Sequence, residues 1–172
     1  MKNMPPPDQP LHYRDDDIRK ILRQTKTVAM IGASANWVRP SNFVMKYLLG
    51  KGYRVHPVNP GHAGKEILGQ KVYASLSDIP GNVDMVDVFR GSAALPAIVE
   101  DIKPHIDDKN IKVLWAQISV RHDEAGHHAE SLGLNVIMDR CPKIEYGRLF
   151  GELGWCGVNS GIITSKRRKL AP

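Results

Sequence analysis

Thr27-Val28-Ala29-Met30-Ile31-Gly32-Ala33-Ser34-Ala35-Asn36 opens as an unbroken apolar run and turns to small and polar residues after a glycine. A strand covered on both faces of a parallel sheet reads as such a run, whereas a half-solvated strand alternates apolar and polar residues. The stretch therefore predicts a first, central strand followed by a tight turn. Upstream, Ile18, Ile21 and Leu22 recur at helical spacing behind Asp15, Asp16 and Asp17, acids that the helix dipole favours in a first turn; a short helix from Asp15 to Thr25 is expected. Downstream, Ser41 is expected to cap a helix over Asn42–Lys51 that stops at Gly52, and Tyr53–Val58 reads as the second strand.

The alternation then continues. Asp84–Phe89, Ile111–Ile118 and Leu134–Met138 read as strands. Leu95, Ile98, Val99 and Ile102 share one helix face that begins near Pro96 and ends or kinks at Pro104, and Arg121–Leu132 forms a further helix stopped by Gly133. Strand–helix alternation of this kind implies βαβ units. The expected fold is α/β: a Rossmann-like, doubly wound, mostly parallel sheet of five to six strands with helices on both faces.

Length and composition agree with one such unit. The chain has 172 residues, 42% hydrophobic and 24% charged, enough apolar material for a single core. The expected division is a flexible, proline-rich leader (1–14), one domain (15–163) whose Gly147–Ile163 stretch is assigned only as a packed extension, and a basic tail (164–172). The net charge of +6 suggests a polyanion as partner, but Lys166, Arg167, Arg168 and Lys169 carry four of those charges, leaving +2 on the rest. A body so near neutrality gives little support for nucleic acid binding. Cys141 and Cys156 are too few for a disulfide scaffold and have no zinc-type spacing. With neither a signal-like leader nor an apolar run near the ~20 residues that span a bilayer, a cytoplasmic protein away from membranes is expected.

In an open α/β sheet, ligands sit outside the carboxyl ends of the strands. After the first strand, Gly32-Ala33-Ser34 makes a small-residue turn before a helix, an arrangement whose free N–H groups suit phosphate. The dinucleotide fingerprint is broken there, with Ser34 at its second glycine position and Trp37 at its third. At the end of the second strand, where NAD sites place an acid for the ribose hydroxyls, stands Asn59; the run Val55–Gly61 carries no acid, and Arg39, Arg54 and Lys65 lie before or after it. Both departures favour a nucleotide with an extra phosphate; NADP and coenzyme A qualify equally on these residues.

Taken as one ordered series, Val28-Ala29-Met30-Ile31-Gly32-Ala33-Ser34, Arg39-Pro40-Ser41, Gly52-Tyr53-Arg54-Val55-His56-Pro57-Val58-Asn59-Pro60, Ile67-Leu68-Gly69, Val83-Asp84-Met85-Val86-Asp87-Val88-Phe89-Arg90, Trp115-Ala116-Gln117 and Val136-Ile137-Met138-Asp139-Arg140-Cys141-Pro142 carry a resemblance. Over residues 15–146 the chain resembles the small CoA-binding proteins of Rossmann-like fold, themselves similar to the N-terminal domain of the succinyl-CoA synthetase α subunit. The resemblance implies that coenzyme A lies across the strand ends: Gly32, Ala33 and Ser34 on phosphate, Arg39 supplying charge, Asn59 and Pro60 beside the adenosine, and Phe89, Arg90, Trp115 and Gln117 along the remainder. Where the family commonly carries glycine this chain has Ser119, whose side chain is expected to narrow the pantetheine end.

Few residues suggest catalysis. Cys141 precedes Pro142 at an expected helix N-terminus, where the dipole lowers a thiol pKa; it reads either as a capping residue or as a redox thiol facing bound CoA. His122, His127 and His128 are spaced five and six apart rather than at ligand spacing, so a solvated, charged face is expected instead of a metal site. Asp84 and Asp87 read equally as local caps or pairs and as catalytic carboxylates, and no nucleophile–base–orienter set emerges. The phospho-histidine chemistry of the ligase relatives needs a further domain, for which 172 residues leave no length. The expected function is binding of CoA or acyl-CoA without catalysis, with a NADP-dependent oxidoreductase and a Cys141 thiol partner of CoA as alternatives. Self-association is left open.

Overall fold

The computed structural model describes residues 5–6 and 9–151; the extension beyond Gly151, Cys156 and the basic tail lie outside the described residues. Five parallel strands form the main sheet: β1 (Thr27–Ile31), β2 (Arg54–Val58), β5 (Met85–Val88), β6 (Val113–Ala116) and β7 (Asn135–Ile137), in the order β2-β1-β5-β6-β7. The helices are α1 (Asp15–Gln24), α2 (Pro40–Gly50), α3 (Leu95–Ile102), α4 (Asp123–Ser131) and α5 (Pro142–Leu149). A small antiparallel hairpin, β3 (Glu66–Ile67) and β4 (Gln70–Lys71), was not anticipated from the periodicity.

Successive strand residues point to opposite faces, and the two hydrophobic cores divide accordingly. Val28, Met30, Met85, Val113 and Trp115 pack with Ile18, Ile21 and Leu22 of α1, Val44, Met45 and Leu48 of α2, and Tyr146 of α5. Ala29, Val86, Val88, Leu114 and Ala116 pack with Leu95, Ile98, Val99 and Ile102 of α3, and Ala125 and Ala129 of α4. Each fully buried aliphatic or aromatic side chain contributes about 1.5–3 kcal/mol by leaving water, so both layers are needed to hold the sheet.

The helix after β1 starts earlier than Ser41. Arg39 is its N-cap residue and Pro40 occupies the first turn, where a fixed φ and a missing N–H fit. Ser41 is therefore inside the helix, and its hydroxyl accepts the Ser34 N–H at 3.1 Å, tying the turn to the helix. Order also reaches into the segment assigned to the leader: Tyr13 is buried and its hydroxyl accepts the Met138 N–H at 2.8 Å. Among the described residues no helix is long and apolar enough to cross a membrane.

Candidate functional site

Because α2 covers one face and α3 the other, the chain reverses its winding between β1 and β5, and the crevice at their carboxyl ends is where such sheets hold ligands. Gly32 sits in that crevice with φ +86°. A Cβ built there would lie 3.2 Å from Cδ of Arg90 and 3.3 Å from the carbonyl carbon of Phe89, so glycine lets the two strand ends approach closely. The Gly32 N–H donates to Val58 and the Phe89 N–H to Ile31, which sets the turn in register with both neighbours.

The rest of the turn is held by side chains. Asn59 donates through Nδ2 to the Ala33 carbonyl at 2.8 Å and accepts the Gly61 N–H through Oδ1, clamping the turn after β1 to the 3-10 turn that begins at Pro60. Asn42 of α2 donates to the Ser34 carbonyl, and the Ser34 hydroxyl accepts the Asn36 N–H. The N–H groups of Ala33 and Ala35 have no acceptor among the described residues. Arg39 and Arg90 are both exposed, and neither forms an ion pair with a described residue. An arginine at the start of α2 and another whose side chain lies against Gly32, neither of them ion-paired to a described residue, are groups suited to anionic oxygens.

The expected residues do not all reach the surface. Gly32, Ser34, Arg39, Asn59, Pro60, Phe89 and Arg90 are accessible or half-buried at the sheet edge, while Ala33 is buried within the turn. Trp115 is wholly buried, its indole N–H donating to the Arg140 carbonyl at 2.8 Å, so it lies beneath the edge rather than lining it. Gln117 is buried too and donates to Oδ1 of Asp87 at 2.8 Å.

Asp84 and Asp87 separate clearly. Asp84 accepts the Lys26 and Thr27 N–H groups through Oδ2, a cap at the amino edge of the sheet. Asp87 lies between Met30 and Trp115 in one lateral row of the sheet, fully buried, with Oδ2 lacking a hydrogen-bond partner among the described residues. Burial pushes its carboxyl up to about 7, against a smaller lowering by the Gln117 hydrogen bond. An acid inside the apolar run Met85-Val86-Asp87-Val88 was the sequence signal for this buried group. His62, whose Nδ1 is also buried beside the Asn59 turn without a partner among the described residues, had no such signal.

Cys141 is the N-cap residue of α5, as its position before Pro142 suggested. Its thiol is pushed up rather than down: burial outweighs the Ile144 and Lys143 N–H groups directed at the sulfur, and the nearby Asp87 carboxyl adds to the rise. At neutral pH it is a protonated, weakly nucleophilic thiol. The α4 histidines are engaged separately: His122 accepts the Ala125 N–H as N-cap, and His128 pairs with Glu100 of α3. Asp123 takes a two-point pair from Arg121, and the described residues contain no group of three or more metal-ligating side chains.

Ser119 carries a backbone reason for glycine at its position. Its φ is +66°, and its N–H donates to Oδ1 of Asp139 at 2.8 Å. A left-handed conformation costs a residue bearing Cβ roughly 1–2 kcal/mol, and glycine's extra unfolded-state freedom offsets roughly 0.5–1 of that. Ser119→Gly should therefore stabilise the fold by about 0.5–1 kcal/mol in urea unfolding. A destabilised variant would contradict the strain at this turn.

The comparisons with known proteins point the same way. A family model described as a CoA binding domain matches residues 26–147. The Bacillus subtilis protein YneT is 36% identical over 130 residues, 76% of this chain and 92% of that protein. A solved Thermus thermophilus structure, cell-free ID.343, superposes with a TM-score of 0.75 at 37% identity, covering 80% of this chain and 100% of the other. The ADP-forming acetate–CoA ligase II of Archaeoglobus fulgidus is 35% identical over 161 residues, which are 89% of this chain but 22% of the ligase.

Proposed function

The chain belongs to the CoA-binding domain family, and from that premise we propose that it binds coenzyme A across the β1–β5 crevice without a reaction of its own. The observation that carries this reading is the Gly32 turn pressed against Phe89 and Arg90, with Arg39 and Arg90 unpaired beside it. Coenzyme A bears several phosphate charges on one end and a long neutral arm on the other. Its phosphates take the turn and the two arginines, Asn59 and Pro60 border the adenosine, and the arm runs past Phe89 toward the ends of β5 and β6. The absence of an acid after β2 favours a phosphorylated ribose over the bare diol of NAD.

Thermal unfolding with CoA, NADP, NAD and ADP tests this. At 100 times its dissociation constant a ligand stabilises by about 2.7 kcal/mol, which for a chain of this size raises the melting temperature by roughly 5–10 °C. CoA is expected to do so, with NADP and NAD having little effect. NADP stabilising while CoA does not would overturn the reading. Arg39→Ala and Arg90→Ala should each weaken CoA about tenfold, the loss expected for a charge-assisted hydrogen bond at an exposed site.

A further inference from the structure

A second feature opens at the same edge, beyond β6 and β7. A cleft of about 580 Å³ lies between the start of α1, the N-terminal half of α5 and the loops after the two strands. Cys141, Tyr13 and Ile18 form its buried floor, and Ile118 and Ile144 stand on its walls with 53% and 48% of their surfaces exposed. Two large aliphatic side chains held open to solvent on facing segments of one cleft are what an apolar ligand group would cover. The protonated thiol of Cys141 behaves there as a small hydrophobe.

The two arginines of the lining are already engaged by its acids, which outnumber them. Arg148 makes a two-point pair with Asp15, both contacts 2.8 Å, and also bonds Glu145. Arg140 lies 3.8 Å from Glu145, donates to the Asp139 carbonyl and rests over the Tyr13 ring. Asp15, Asp139 and Glu145 thus face two arginines, with His12, Tyr13 and Cys141 the other titratable groups on the lining. A ligand carboxylate would have to displace one of these acids from its guanidinium and would meet the other two.

Position links this cleft to the phosphate turn. Ile118 follows Gln117 at the end of β6, two strand spacings from β1, or about 10 Å along the sheet edge. The pantetheine arm of a ligand anchored at Gly32 spans that distance. We propose that the Ile118–Ile144–Cys141 cleft receives the acyl chain of a CoA thioester and selects neutral, apolar chains over carboxylated ones. This rests on the CoA reading above and names the ligand class that the site prefers.

Calorimetric titration of the full chain with CoA, hexanoyl-CoA and succinyl-CoA tests it. Hexanoyl-CoA is expected to bind at least tenfold tighter than CoA, and succinyl-CoA no tighter than CoA. Ile118→Glu and Ile144→Glu, both at exposed positions, should each bring the hexanoyl-to-CoA affinity ratio down toward one. Equal affinities for CoA and hexanoyl-CoA in the unsubstituted protein overturn the acyl cleft while leaving CoA binding intact, as does a ratio that survives both substitutions. Failure of CoA and both thioesters to bind overturns the CoA reading and the cleft assignment together.

Discussion

Gly32→Val should abolish the thermal stabilisation by CoA and lower the stability of the free protein by about 2–4 kcal/mol, the sum of left-handed backbone strain and overpacking. The residue holds φ +86°, a region that β-branched side chains avoid because Cβ meets the following carbonyl. Space is also lacking. A Cβ there would stand 3.2 Å from Cδ of Arg90 and 3.3 Å from the Phe89 carbonyl carbon. The arginine end can swing aside, but Phe89 is backbone hydrogen-bonded to Ile31, so relief requires the ends of β1 and β5 to part. That movement takes Arg90 and the turn N–H groups out of their common position, which is why binding should fail along with stability. Gly32→Ala, with the same strain and less bulk, should show an intermediate loss. Urea unfolding measures the first effect and the CoA-dependent melting shift the second; a Gly32→Val protein that still gains several degrees with CoA would move the phosphate site elsewhere.

Asp87→Asn should instead stabilise the protein at pH 8, by about 1–3 kcal/mol, the scale of removing an uncompensated buried charge. Met30 and Trp115 flank the carboxyl in the sheet, and its Oδ2 has no partner among the described residues. The native carboxyl keeps its proton up to about 7, while the unfolded chain releases it near the ordinary aspartate value of about 3.9. Between those values the native state binds more protons than the unfolded one, so stability falls as pH rises from about 4 through about 7 and then levels. The amide cannot ionise, yet its oxygen still accepts from Gln117 as Oδ1 does now. The pH dependence should flatten across that window. Melting curves at pH 4.5, 6 and 8 for both proteins provide the check: parallel profiles would show that Asp87 does not carry the buried proton.

Neither residue's behaviour follows from its local pattern alone. Gly32 was legible as a turn glycine because it ends an apolar run, and the resemblance added phosphate to that turn. What lies against it, Phe89 and Arg90, is more than fifty positions away in sequence and arrives only through the β1–β5 pairing. The β3–β4 hairpin leaves no periodic mark in the sequence because each strand has two residues, too short for a period, and its turn places Leu68 at φ +50° before Gly69. The family resemblance implied that Trp115 lines the ligand path. Its side chain instead shares the α1, α2 and α5 face with Met30, where the pleat directs it.

The sequence by itself determined the strand runs, the helix faces and the glycine turn at the end of β1, because a buried strand and an amphipathic helix are written in neighbours only a few residues apart. It also carried the family resemblance over most of the described chain. Tertiary structure alone decided the ionisation of Asp87 and Cys141, the covering of Trp115, the pairing of Arg148 with Asp15 and the open apolar walls beside them. Those properties depend on which distant groups exclude water or lend charge, and only the packed sheet brings those groups together.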